Sequence, residues 1–82
     1  MKCHHIDVIK VKVLEDYKLR LLFDDGKSGN VDISKIIPFK GIFEPLTDKH
    51  YFSNVKVNSD IGTICWENGA DISPTYLYEK TK

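Results

Sequence analysis

The sequence offers little from which to build a chemical site or a secreted scaffold. It has two cysteines in 82 residues, Cys3 and Cys65, whereas small secreted domains usually carry more of them behind a signal segment. The opening run Met1-Lys2-Cys3-His4-His5 has no apolar stretch of the signal-peptide kind. No apolar run approaches membrane-spanning length. Charge of one sign is also lacking: 12 basic and 12 acidic residues cancel, so no long-range field draws the chain to nucleic acid or anionic lipid. Repeats, low-complexity tracts and linkers are absent. These absences point to a cytoplasmic protein with reduced thiols and no membrane segment. They fit a single domain over residues 1–82, with its core between about 6 and 80. A chain of this size buries roughly 60–65% of its unfolded surface, enough for one modest core but not for a large enclosed active site.

What is present is alternation and turn chemistry. Ile6 to Leu14 reads as a strand, with Ile9, Val11 and Val13 inward and Lys10 and Lys12 outward. After a polar break at Glu15-Asp16, the run from Tyr17 to Phe23 alternates again. Tyr17, Leu19, Leu21 and Phe23 share one face; Lys18 and Arg20 share the other. Asp25-Gly26 supplies the positive φ of a hairpin turn. Ser28 to Ile33 returns as a third strand with Val31 and Ile33 facing the core. A short helical turn capped by Ser34 and stopped by Pro38 follows, then a loop carrying Phe39 and Phe43. Thr47 or Asp48 caps a short helix through Phe52. Val55 to Asn58 and Ile61 to Glu67 read as strands. Asn68-Gly69 turns the chain back through Ala70-Asp71-Ile72. Ser73 and Pro74 then open a closing helix, with Tyr76 and Leu77 packing inward. The expected fold is α+β: a small antiparallel sheet, built as a meander plus a C-terminal hairpin, with two or three short helices on one face.

Three segments carry a family likeness. They are Leu-x-Leu-x-Phe-Asp-Asp-Gly at Leu19 to Gly26 followed by Val31-Asp32-Ile33, the stretch Gly41-Ile42-Phe43-Glu44-Pro45-Leu46 with Phe52, and Ile64 to Ile72 with its Trp-x-Asn-Gly-Ala-Asp element. Together they resemble the domain-of-unknown-function family numbered 2442, small bacterial proteins, over roughly residues 5–79. The resemblance implies a compact α+β fold and no established activity. Some members of that family continue into a helix-turn-helix segment, which this sequence lacks. Some are associated with small toxin-like partners, so the resemblance also suggests an antitoxin-like role by association.

The chemical constellations are thin. Asp24-Asp25 could hold a cation, but the further oxygen ligands of a calcium loop do not follow, and a turn explains both residues. Cys3, His4 and His5 are adjacent, whereas zinc ligands are usually spaced so that each can point inward. Cys65 with His50 would make a nucleophilic pair only with an orienting acid and an oxyanion hole, which nothing in the pattern supplies. Cys65 itself faces either covering helices or solvent. Every member of the Trp66, Asn68, Gly69, Asp71 cluster contributes to folding. Trp66 fills the core, Asn68-Gly69 turns the hairpin, and Asp71 bonds amides near the last helix. No enzyme, metal site or cofactor is expected.

The sheet's outer face carries more information. Alternation places Lys10, Lys12, Lys18, Arg20 and Lys56 away from the core, with Asp32 and Glu67 as nearby counter-charges and Val8, Leu14 and Leu22 as an apolar centre. Such a face is either solvated or a docking surface. The expected function is a non-enzymatic protein–protein interaction module, antitoxin-like or self-associating as a homodimer through this face or an open strand edge. The alternative is nucleic-acid binding by the same cations, which no stacking aromatics accompany.

Overall fold

In the computed structural model, which describes residues 6–82, three antiparallel strands form a meander. They are β1 (Val8–Val13), β2 (Lys18–Phe23) and β3 (Ser28–Asp32), in the order β1-β2-β3. Helix α1 (Ile33–Ile36), a 3-10 helix (Gly41–Thr47) and α2 (Lys49–Phe52) follow. Strands β4 (Lys56–Asn58) and β5 (Thr63–Cys65) pair as a separate two-stranded hairpin, and α3 (Pro74–Lys80) closes the chain. The architecture is α+β.

Two turns of the same design set the strand registers. Phe23 N donates to Lys27 O at 2.8 Å and Gly26 N to Phe23 O at 3.0 Å; Trp66 N donates to Ala70 O at 2.9 Å and Gly69 N to Trp66 O at 3.0 Å. In each, the side chain before the glycine accepts the amide two residues on: Asp25 Oδ1 from Lys27 N and Asn68 Oδ1 from Ala70 N. Gly26 and Gly69 sit at φ 96° and 89°, where a side chain would be strained. These are three-residue hairpin loops with a glycine bulge. The first starts β3. The second returns only as a single bridge between Cys65 and Asp71, so the second hairpin is β4–β5.

Strand β2 supplies the centre of the core. Leu19, Leu21 and Phe23 are fully buried, as are Ile33, Leu46, Phe52, Ile64 and Leu77. Each such side chain contributes roughly 1.5–3 kcal/mol. Trp66 is 2% exposed, and its Nε1 donates to Phe52 O at 3.0 Å, so the largest ring enters the core without an unpaired polar atom.

Four expectations need correction. Alternation in β1 breaks at a bulge: the register slips between Val8 and Lys10. Val8 therefore lies in the core at 1% exposure, not on the outer face, and Ile9, expected inward, is 48% exposed. Helix α1 is capped by Asp32, not Ser34, because strand β3 ends earlier than expected; Asp32 Oδ1 accepts from Ser34 N. In α3, Leu77 is buried but Tyr76 is exposed; it donates its hydroxyl to Ile36 O, and Tyr78 packs edge-on against Phe23 instead. Lys56 lies on β4, in the other sheet. The Asp48 cap of α2 and the Ser73-Pro74 start of α3 stand as expected.

The outer edge of β3 is occupied. Asn30 and Lys82 exchange backbone hydrogen bonds at 3.0 Å in both directions. Gly29 permits this approach, since a Cβ there would meet the Lys82 carbonyl and the Thr81 methyl. Val8 N, at the start of β1, donates to Gly62 O at 2.9 Å.

Candidate interaction face

Burial of Leu19, Leu21 and Phe23 turns Lys18, Arg20 and Leu22 to the opposite side of β2. The strand registers then lay out a grid. Lys10, Leu22 and Ser28 form one row across the sheet; Lys12, Arg20 and Asn30 form the next. In the third, Lys18 stands opposite Asp32 and receives the Leu14 amide on its carbonyl. The exposed Ile9 at the bulge adjoins Lys10. A groove of about 360 Å³ opens over Leu22, with Lys10, Lys12, Arg20 and Ser28 among its walls.

The cations of this face form no ion pair with a carboxylate among the described residues. Arg20 Nη1 donates to Asn30 Oδ1 at 3.2 Å, which orients the guanidinium and leaves its charge. Asp32, the acid in the grid, is engaged elsewhere: its Oδ1 accepts Ser34 N at 3.0 Å and Ser34 Oγ at 2.6 Å, capping α1. The only ion pair among the described residues is Lys49–Asp16, at the β1–β2 turn. Glu67, expected as a counter-charge, is in the second glycine turn instead. Lys10, Lys12, Lys18 and Arg20 are thus gathered around an aliphatic centre without carboxylate partners among the described residues. Asn30 and Ser28 escape a reading of the sequence, although counting outward from the Asp25-Gly26 turn places them opposite Arg20 and Leu22.

The remaining candidate residues take structural positions. Asp25 accepts the Tyr78 hydroxyl at 2.7 Å, and Lys27 Nζ donates to Tyr78 O at 2.9 Å while lying 4.1 Å from the ring centroid. The Asp25 hydrogen bond, helped by desolvation and by the carboxylate charge, holds the Tyr78 hydroxyl above the usual tyrosine range. This cluster fastens α3 to the first glycine turn. Asn68 fastens three segments: its Nδ2 donates to Ile42 O at 2.8 Å, its amide to Tyr51 Oη at 3.1 Å, and its Oδ1 accepts from Ala70 N. Asp71 contributes its backbone to the bridge with Cys65 and is exposed, while the cap of α3 comes from Ser73.

Cys65 is buried and unpaired in β5, His50 is exposed on α2, and no hydrogen bond joins them. The Cys3-His4-His5 run lies outside the described residues. Among the described residues no group of three His, Cys, Asp or Glu is placed to hold a metal ion. No helix there is long and apolar enough to cross a membrane.

The model of a family described as protein of unknown function (DUF2442) matches residues 8–82. The chain belongs to this family. The match begins at Val8 and takes in every strand and helix of the fold, so the outer face is built wholly from the DUF2442 region. The family description assigns no activity. No curated protein and no solved structure matches the chain.

Proposed function

We propose that this DUF2442 chain is a protein-interaction module rather than an enzyme, and that it holds an acidic partner against the outer face of β1–β3. The observation that carries this reading is the direct cross-strand pairing of Lys12 with Arg20, neither of which has a carboxylate partner among the described residues. Like charges placed opposite one another cost a sheet stability. An anionic partner converts that cost into attraction, and Leu22 with Ile9 gives the contact an apolar centre of the kind protein interfaces have.

The same charges argue against homodimerisation through this face, which would set lysines against lysines. The β3 edge is an unfavourable alternative because Lys82 already pairs with it. An antitoxin-like role is one version of the proposal, with a toxin-like partner whose contact surface is acidic. Nucleic acid is the second reading, motivated by the same cations. The large rings of Phe23, Phe52 and Trp66 are all in the core, so the face has none of them to stack on bases.

Affinity capture from the native host with the wild-type chain and with a Lys12→Glu, Arg20→Glu variant tests the proposal. Acidic proteins held by the wild type and lost by a still-folded variant support it. An unchanged set of captured proteins contradicts it. A mobility shift with DNA or RNA that weakens steeply with salt would favour the second reading.

A further inference from the structure

We infer that the outer face reads an extended peptide segment in which one aliphatic and two acidic residues occupy three successive alternate positions, with the aliphatic residue at one end. The inference rests on the proposed function and specifies its partner. Along β2 the outward side chains run Leu22, Arg20, Lys18. They stand about 6.7 Å apart, two steps of an extended chain. A peptide lying along β2 has the same repeat, so its alternate side chains meet these residues one after another.

The neighbouring strands sharpen each position. The aliphatic side chain enters the groove over Leu22, between Lys10 and Ser28. The first carboxylate meets Arg20 with Lys12 beside it, and the guanidinium is already steadied by Asn30. The second carboxylate meets Lys18, whose cross-strand neighbour Asp32 is bound to Ser34. Asp32 keeps its negative charge beside Lys18, since the serine donors do not neutralise it, so an acid at this position gains less than one at Arg20.

The test uses the full chain, isotopically labelled for NMR titration, and two peptides of identical composition. One places Leu, Glu and Glu at alternate positions in a Ser/Gly background; the other places the glutamates side by side directly after the leucine. A single-stranded thymidine oligonucleotide is the third probe. The alternating peptide is expected to shift the amides of Lys12, Arg20 and Leu22 and to bind on the order of tenfold more tightly than its isomer. An Arg20→Glu chain, shown to be folded by its spectrum, should lose that preference. Equal binding of the two peptides, still dependent on Arg20, overturns the spacing rule and leaves the acidic-partner reading standing. Binding indifferent to Arg20 overturns both. Failure of both peptides to bind overturns the extended-peptide inference. Tighter binding of the oligonucleotide than of either peptide replaces the protein partner with a nucleic acid.

Discussion

Lys12 and Arg20 face each other across β1 and β2 on the solvent side of the sheet, and neither forms an ion pair with any described residue. A sheet selected for stability alone would place an opposite charge at one of the two positions. Lys12→Glu supplies it. The substitution should raise stability by about 0.2–1 kcal/mol, read as a higher denaturant midpoint at unchanged slope, while weakening capture of an acidic partner. A variant that loses stability would show that the pair is not strained.

The bulge in β1 makes a paired prediction. Val8→Ala empties part of the core and should cost about 2 kcal/mol. Ile9→Ala, one residue away, should change stability by less than about 0.5 kcal/mol. Unfolding curves of the two variants check this. A reversed order would put the register slip elsewhere.

That bulge marks the limit of what the sequence makes legible. In β2 only one parity is continuously apolar, so the buried face of Leu19, Leu21 and Phe23 follows from alternation. The turns follow from Asp25-Gly26 and Asn68-Gly69, because few residues tolerate the backbone those loops require. In β1 both parities are apolar, with Ile6, Val8 and Leu14 against Ile9, Val11 and Val13. Lys10 and Lys12 still mark the outer face beyond the bulge, but before it nothing in the local pattern announces the register slip that turns Val8 inward and Ile9 outward. The cap of α1 is ambiguous for a similar reason: Asp32 and Ser34 both suit the role, and the end of strand β3 decides between them. Lys56 reads as a fifth member of the cationic face because strand order, unlike alternation, is not written in one segment. The grid itself is half legible. Its cations follow from alternation in β2 and the inner half of β1, but the diversion of Asp32 to Ser34 emerges only from the fold.

Asn68 is expected to be sensitive to loss of its amide group. Asn68→Asp keeps the acceptor for Ala70 N but turns an oxygen toward Ile42 O, where the amide donated. The cost should be about 1 kcal/mol, measured by denaturant unfolding. Asp25→Asn in the twin turn keeps its acceptor for Lys27 N, so its turn should hold. No change in the Asn68 variant would mean that the Ile42 contact contributes nothing.

Tyr78 carries the pH dependence. Its hydroxyl is raised above the ordinary tyrosine value of 10.0, first by its hydrogen bond to Asp25. A group that holds its proton more tightly when folded stabilises the fold below its unfolded pKa. That contribution is lost as pH rises through the higher folded value. The contribution of Tyr78 to the α3–turn clamp should therefore persist at neutral pH and be lost as pH rises above 10.0. Ultraviolet titration of the wild type against Tyr78→Phe isolates this step, and Asp25→Asn should move it down. A Tyr78 midpoint at or below 10.0 would contradict the bond.

Lysine footprinting asks whether the outer face of β1–β3 is where the partner sits. The wild-type chain is labelled with an amine reagent alone and with its captured acidic partner, and each lysine is read separately. Docking on this face predicts protection of Lys10, Lys12 and Lys18, with Lys56 on the second sheet left as reactive as before. Undiminished labelling of those three, or protection confined to Lys56, would contradict it.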